Sequence, residues 1–151
     1  MNKYRPHVLV LPEDDANRQL ANGFLLEVTR SRRMQVLPVA GGWAEVLRSF
    51  QSDHIGQMDR FPERRMILLI DFDNRKDRLN EAKAVIPHEL DNRVFVVGVW
   101  SQPEDLRRAN LGSYETIGKA MAEDCRAGTD TIWGHDLLRH NAPGLGRLRQ
   151  H

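Results

Sequence analysis

The chain has 151 residues, of which 40% are hydrophobic and 28% are charged, with a formal net charge of +1 at pH 7. This length suits one domain with a single core, and the charge balance excludes a polycation. No apolar run approaches the roughly 20 residues that span a bilayer, and the polar Met1–Pro6 does not resemble a signal peptide. The single cysteine, Cys125, excludes an internal disulfide and a zinc site built from several cysteines. Together these features favour a cytoplasmic protein.

The first half of the chain predicts two strands, each followed by a helix. His7–Leu11 is a short apolar run, which is typical of a strand. Apolar residues recur at helical spacing over Leu20–Val28 and predict a helix with one buried face. Met34–Ala40 predicts a second strand, which ends where two glycines follow. The apolar stripe over Trp43–Phe50 then predicts a second helix.

The second half predicts two further strands and a helical region. Gln51–Arg65 is polar and irregular, so we expect a surface loop there. Met66–Ile70 is apolar throughout, as a parallel strand buried on both faces should be. Asn74–Ala84 predicts a mostly exposed helix and Val94–Trp100 a fourth strand. Three helices are expected after that strand: Glu104–Ala109, Tyr114–Cys125 and Thr131–His140.

Strands that alternate with helices indicate an α/β fold. Crossover connections of this length require parallel pairing, because a tight hairpin joins only antiparallel strands. We therefore expect a three-layer open sheet, mostly parallel, with about four strands and helices on both faces. Residues 1–151 are interpreted as one domain with a helical C-terminal extension from about residue 103.

Acidic residues follow the first and third predicted strands. Glu13, Asp14 and Asp15 come directly after the first strand, and Asp71 and Asp73 come after the third. Functional residues of open parallel sheets gather beyond the carboxyl ends of the strands. These two strands are commonly neighbours in such folds, so the five carboxylates are expected to converge.

Crowded carboxylates repel one another and require a cation or shifted pKa values. Mg²⁺ (or Mn²⁺) is the expected ion, because it prefers hard oxygen ligands. Residues two apart in extended backbone point the same way, so Asp71 and Asp73 are expected to reach one ion. Glu13 and Asp15 are the further candidate ligands. Asp14 and Asp15 are equally suited to cap the first helix.

The basic residues are mostly arginine, with 18 Arg and 4 Lys. The planar guanidinium fork suits phosphate, although the same bias also arises from base composition. Arg75 and Lys76 directly follow the second acidic pair and are candidates for holding a substrate phosphate. The alternative interpretation is the solvated start of an exposed helix.

The order of these motifs resembles the Toprim domain, the catalytic module of topoisomerases, DnaG-type primases, OLD-family nucleases and small RNA-maturation nucleases. The family pattern is a Glu after the first strand, a Gly after the second and Asp-x-Asp after the third. Here VLVLPEDD supplies Glu13, and VLPVAGG supplies Gly41 or Gly42. ILLIDFD supplies Asp71 and Asp73.

The resemblance covers roughly residues 7 to 100 and implies a Toprim-like Rossmannoid fold. It implies that Glu13 acts as general acid/base or ligand and that Asp71 and Asp73 hold Mg²⁺. The implied function is Mg²⁺-dependent phosphodiester chemistry on nucleic acid, with nuclease-type hydrolysis as the reaction. A partner such as an ATPase subunit, or a homodimer, is implied because the chain is short. Many members have Gly after the Glu and after Asp-x-Asp, where this chain has Asp14 and Asn74.

The opening segment also resembles a response-regulator receiver domain, which implies a non-catalytic or phosphoacceptor regulatory module as the alternative function. Such domains place an acidic pair after strand one, a phosphorylated Asp after strand three, a hydroxyl after strand four and a Lys after strand five. Asp14 and Asp15 match the pair, Asp71 the acceptor and Ser101 the hydroxyl. Lys119 is the candidate lysine, but its segment predicts a helix with no fifth strand before it.

Overall fold

Four parallel strands form one sheet in the part of the chain that this computed structural model describes, residues 7–27 and 33–143. The strands are β1 His7–Pro12, β2 Arg33–Val36, β3 Arg64–Leu69 and β4 Val94–Val97. Their order is β2-β1-β3-β4, and every neighbouring pair is parallel. The predicted open parallel sheet, with the first and third strands adjacent, is therefore confirmed.

Helices cover both faces of the sheet, which gives the three layers expected. They are α1 Asp15–Glu27, α2 Trp43–Ser49, α3 Ile55–Arg60, α4 Lys76–Ala84, α5 Pro103–Arg108 and α6 Tyr114–Ala127. Helices α1, α5 and α6 pack on one face, and α2, α3 and α4 pack on the other. None of the helices within the described ranges is long and apolar enough to cross a membrane.

Strands β1, β3 and β4 contribute side chains to two cores, one on each face of the sheet. In β1, Val10 joins the core under α1 and α6, while Leu9 and Leu11 join the core under α2 and α3. In β3, Leu69 joins the core under α1 and α6, and Leu68 joins the core under α2 and α3. Because successive residues of a strand face opposite sides, a strand buried on both faces must be apolar at every position.

Helices α1 and α6 touch through their backbones. A Cβ added at Gly118 would lie 2.1 Å from the carbonyl oxygen of Leu20, and one at Gly23 would lie 2.1 Å from that of Glu115. Only glycine permits so close an approach of two helices. Within the predicted C-terminal extension, α6 therefore packs on α1 and covers one face of the sheet.

The predicted loop over Gln51–Arg65 is wrong. The chain continues from α2 through a π-helical turn, Phe50–His54, into α3. Phe50 and Met58 are both fully buried on the same core, so apolar residues direct this segment onto the sheet. The wider π turn shifts the helical register, which conceals the periodicity in the sequence.

The predicted helix over Thr131–His140 is also wrong, apart from a 3₁₀ turn at Arg139–Asn141. Its backbone hydrogen bonds are those of separate turns: the amide of His135 donates to the carbonyl of Ile132 at 3.1 Å, and that of Leu138 donates to His135 at 2.8 Å. The carboxylate of Asp124 holds the first of these turns, because it accepts from the backbone N–H groups of Ile132 and Trp133 at 2.6 and 3.1 Å.

The second strand is shorter than predicted and ends at Val36. The following residues still bond to β1 and its end. The amide of Leu37 donates to the carbonyl of Val10 at 2.8 Å, and that of Ala40 donates to Pro12 at 3.0 Å. The chain therefore runs beside β1 until the two glycines turn it into α2.

Candidate metal centre

The first and third strands lie side by side, but the chain leaves them toward opposite faces. After β1 it enters α1 on one face, and after β3 it enters α4 on the other. Where neighbouring parallel strands diverge in this way, a crevice opens beyond their carboxyl ends, and ligands of open α/β sheets bind there. Glu13 directly follows β1, and Asp71 lies two residues beyond β3.

Backbone hydrogen bonds fix Glu13 from both sides. Its amide donates to the carbonyl of Leu69 at 2.9 Å, and its own carbonyl accepts from the amides of Gly41 and Gly42 at 3.0 and 3.1 Å. These two glycines have φ values of +99° and +145°, which side-chain-bearing residues rarely adopt. The glycine pair after β2 therefore holds Glu13 in place. The Glu13 carboxylate then accepts from the amide of Asp71 at 2.8 Å.

Asp14 caps the first helix, and Asn17 connects this cap to Asp71. The Asp14 carboxylate accepts from the Asn17 amide at 3.1 Å and from the Asn17 side chain at 2.9 Å. The same Asn17 Nδ2 donates to Asp71 Oδ1 at 2.8 Å, and Asn17 is fully buried. Sequence reasoning missed Asn17, although its position three residues after the cap is where side chains turn back in a capping box.

Glu13, Asp14 and Asp71 form the carboxylate group, in which each residue offers an oxygen within 4.8 Å of the other two. Ligands of Mg²⁺ lie about 2.1 Å from the ion, so opposite ligands are about 4.2 Å apart, and small side-chain rotations suffice to match this spacing. The three donors are all carboxylate oxygens, which suit Mg²⁺, Mn²⁺ or Ca²⁺ better than zinc or copper. The donor set therefore fits the expected ion.

The electrostatics of the carboxylate group favour a cation. Burial raises the pKa of Asp71 to about 7, even though the hydrogen bond from Asn17 lowers it. The nearby charges of Glu13, Asp14 and Glu104 raise it further. Burial likewise raises the pKa of Glu13. Negative charge is thus held where water screens it poorly, and a divalent ion would relieve the repulsion.

Asp73 does not join the carboxylate group, contrary to the prediction. Phe72 enters the core as expected, but Asp73 and Asn74 then adopt left-handed backbone conformations with φ values of +49° and +59°. The chain is no longer extended, so the rule that alternate residues point the same way does not apply. Asp73 Oδ2 accepts from Nη1 of Arg78 at 2.7 Å instead.

Asp15 also lies outside the carboxylate group. It is the first residue of α1, its side chain is exposed, and its carboxylate bonds to Arg18 and to Gln19, the latter at 2.7 Å. Asp14, not Asp15, is the second acid of the first cluster that faces Asp71. The reason is the cap, which turns Asp14 toward Asn17 and leaves Asp15 on the outer side of the helix.

The two predicted phosphate-binding residues point to solvent. Arg75 is exposed and pairs with Asp77 at 2.7 Å, and Lys76 is exposed at the start of α4. The cation that reaches the site is Arg78, which donates to the backbone carbonyl of Asp71 at 2.9 Å. Sequence reasoning missed Arg78, because nothing in its pattern separates it from the other basic residues of this charged helix.

The receiver interpretation requires a hydroxyl and a lysine, for which the candidates are Ser101 and Lys119. The Ser101 carbonyl accepts from the amide of Asp73 at 3.1 Å, and its buried hydroxyl has no hydrogen-bond partner among the described residues. Lys119 lies on α6, where its amino group is 3.9 Å from the carboxylate of Glu115. The sheet of the described residues has no fifth strand to carry a lysine toward Asp71.

Comparison of the chain with models of protein families, with curated proteins and with solved structures gave no match. The function is therefore inferred from the chemistry of the carboxylate group and the residues around it.

Proposed function

We propose that Glu13, Asp14 and Asp71 bind one divalent ion, Mg²⁺ or Mn²⁺, and that the site performs phosphodiester hydrolysis on nucleic acid. The observation that carries the proposal is the convergence of three carboxylates from two neighbouring strand ends within 4.8 Å. The resemblance of the motif order to Toprim domains supports the phosphodiester part. All-oxygen sites with a few carboxylates are the usual way in which proteins hold Mg²⁺ at a phosphate substrate.

The local hydrogen bonds support a binding role over a simple helix cap. A cap needs only Asp14, and Asp14 already has its partner in Asn17. Nothing in the cap requires Asp71 to be buried beside Glu13, at a cost that appears as a pKa of about 7. Groups with strongly perturbed pKa values in a crevice are typical of functional sites.

The residues divide into distinct roles. When bound, the ion would polarise the phosphate and position the attacking water. Glu13, Asp14 and Asp71 would hold the ion, and Asn17 orients the carboxylates of Asp14 and Asp71 through one amide group. A carboxylate has two oxygens, so Glu13, half-buried with a raised pKa, can bind the ion through one oxygen and exchange a proton with the attacking water or the leaving oxygen through the other.

Nucleic acid needs additional binding surface beyond this crevice. The rim carries Glu104, whose charge reaches Asp71, and the exposed Asp15 lies nearby in sequence. Acidic side chains repel a phosphate backbone, which binds chiefly through basic residues. We therefore propose that a partner, either an ATPase subunit or a second copy of the chain, supplies part of the substrate-binding surface.

The direct test is cleavage of labelled single- and double-stranded DNA and RNA in the presence of Mg²⁺ or Mn²⁺. Wild-type protein should cleave at least one of these substrates, and Asp71→Asn and Glu13→Gln should abolish cleavage. Asp15→Asn is the matched control, because it removes a neighbouring carboxylate that lies outside the group. Absence of cleavage for every substrate, or cleavage that survives Asp71→Asn, would contradict the nuclease proposal.

A receiver-like phosphoacceptor is the second candidate, favoured by the buried hydroxyl of Ser101 near the end of β4, which has no hydrogen-bond partner in the described part of the chain. Under this alternative Glu13 and Asp14 hold the ion and Asp71 accepts a phosphoryl group. Lys119 on α6 counts against it. Incubation with acetyl phosphate and Mg²⁺, followed by intact-protein mass spectrometry, separates the two: a phosphoryl adduct lost in Asp71→Asn supports the receiver, and its absence leaves the nuclease proposal.

A further inference from the structure

Arg78 is buried beside the carboxylate group, which is unusual for an arginine. It is 8% exposed, although arginines are mostly on protein surfaces. Its Nη1 donates both to the carbonyl of Asp71 at 2.9 Å and to the carboxylate of Asp73 at 2.7 Å. Its guanidinium carbon lies 4.6 Å from the centre of the Trp43 ring, so the ring supports the plane of the fork.

The other nitrogens of this guanidinium make no hydrogen bond to the residues that the structure describes. Arginine has five N–H donors, and the protein bonds of Arg78 all go through Nη1. Nε is buried with no hydrogen-bond partner among the described residues, and both hydrogen bonds of the guanidinium come from Nη1, so neither involves Nη2. A buried charged group with unpaired donors is costly unless a ligand satisfies it. The missing partner must be an acceptor, and an anion satisfies both the donors and the charge.

We infer that Arg78 binds a phosphate group of the substrate, a phosphate monoester or diester, directly beside the carboxylate group. The inference rests on the proposed function and identifies which residue recognises the phosphate. Arg78 is bonded to the carbonyl of Asp71, whose carboxylate belongs to the group, so one phosphate can contact Arg78 and an ion held there. The guanidinium fork matches two phosphate oxygens, which an ammonium does not.

The Gly41–Gly42 turn links this arginine to Glu13. The two glycine amides hold the Glu13 carbonyl, and the next residue, Trp43, stacks on Arg78. One turn thus positions both a member of the carboxylate group and the cation beside it. The alternative role for Arg78 is purely structural, in which it neutralises Asp73 and stabilises the left-handed turn after Phe72.

The test is titration of the full chain with inorganic phosphate, followed by ³¹P NMR, with and without saturating Mn²⁺ or Mg²⁺ as the metal. Arg78→Lys keeps the charge but loses the fork, and should weaken phosphate binding about tenfold, the scale of one charge-assisted hydrogen bond. Arg78→Met should weaken it further. Arg75→Met, which removes an exposed arginine on the same segment, should stay within about twofold of wild type.

Asp73→Asn separates phosphate binding from a purely structural role. Removing the carboxylate frees Arg78 and removes a negative charge, so phosphate affinity should rise about threefold, on the scale of one near-surface charge pair. A purely structural Arg78 predicts no rise. Thermal denaturation followed by circular dichroism shows whether each variant is folded. If Arg78→Met does not fold, Arg78→Lys and Asp73→Asn still test the inference.

The outcomes distinguish this inference from the proposed function. Phosphate affinity unchanged in folded Arg78→Lys and Arg78→Met overturns the inference, and so does wild-type protein that binds Mn²⁺ but not phosphate. Failure of wild-type protein to bind Mn²⁺ overturns the proposed function instead. In that case the metal-free phosphate titration still decides the role of Arg78.

Discussion

The middle and the start of α1 are held by different interactions. Midway along the helix, Gly23 and Leu20 meet the backbone of α6 so closely that Gly118 has no room for a side chain. At its start, Asp14 and Asn17 hold carboxylates together against their mutual repulsion. Close packing against α6 fixes the position of α1. The start of α1 then holds the carboxylates of Asp14 and Asp71 close together, although their charges repel one another.

The middle of α1 therefore contributes to stability, and its start contributes to the proposed function. Disturbing the contact between α1 and α6 should cost stability, whereas neutralising the carboxylate group should increase stability and remove metal binding. Sites that are strained for function commonly show this opposition.

Gly118→Ala should destabilise the protein by about 3 kcal/mol or more, because the new Cβ would lie 2.1 Å from a backbone oxygen that cannot rotate away. Urea denaturation followed by circular dichroism measures this. Gly56→Ala is the matched control, since nothing lies within 4 Å of a Cβ there and the helix should gain about 1 kcal/mol. Equal effects of the two substitutions would refute the close contact of α1 with α6.

Asn17→Ala should destabilise the protein by about 2 kcal/mol. The substitution removes a buried amide that bonds to both Asp14 and Asp71 and leaves two carboxylates without a shared donor. Asn80→Ala, an exposed asparagine on α4, is the control and should change stability by less than about 0.5 kcal/mol. A loss of stability no larger than the control's would show that Asn17 does not connect the two acids.

Asp71→Asn should raise the stability of the protein, whereas Asn17→Ala lowers it. The metal-free variant should be more stable than wild type by about 1–2 kcal/mol at pH 8, because it removes a buried negative charge and keeps an oxygen for Asn17. The transition midpoint should rise by a few degrees, on the order expected for a chain of this length. A transition midpoint of Asp71→Asn below that of wild type at pH 8 would mean that the Asp71 carboxylate stabilises the fold. The start of α1 would then contribute to stability as its middle does.

The dependence of stability on pH is the most gradual effect, because it is spread over several pH units. Burial raises the pKa of Asp71 from its ordinary value of 3.8 to about 7, so the folded protein binds this proton more tightly than the unfolded chain. The stabilisation is complete below pH 4 and is lost as pH rises through 7, by at most about 1.4 kcal/mol per pH unit. The difference between wild type and Asp71→Asn measured from pH 4 to 8 isolates it, and a flat difference would contradict the raised pKa.

Much of the fold was predictable because strands buried on both faces leave apolar runs such as Met66–Ile70. The continuation of α2 into α3 was not predictable, because the π-helical turn at Phe50–His54 breaks the 3.6-residue period. The helix predicted over Thr131–His140 fails for another reason. The segment forms separate turns, and its start is held by hydrogen bonds to Asp124, a residue too far away in the sequence for a local pattern to report.

Some residues of the candidate site were also predictable from the sequence, and others were not. Glu13 and Asp71 were expected near each other because both follow neighbouring strands, and their hydrogen bond confirms the proximity. Asp73 was expected beside them, but the left-handed turn directs it elsewhere. Asn17 and Arg78 were missed because a polar residue on a helix normally faces water. Only the packing of the helices shows that these two are buried.

The central claim is tested most directly by titrating the metal-free protein with Mn²⁺ and following free Mn²⁺ by electron paramagnetic resonance at pH 8. Wild-type protein should bind one ion saturably, and Asp71→Asn and Glu13→Gln should each weaken binding at least about thirtyfold, roughly 2 kcal/mol. Asp15→Asn, whose carboxylate faces away, should bind within about twofold of wild type. Wild-type protein that shows no saturable site, or an Asp15→Asn variant as impaired as Asp71→Asn, would contradict a metal centre at Glu13, Asp14 and Asp71.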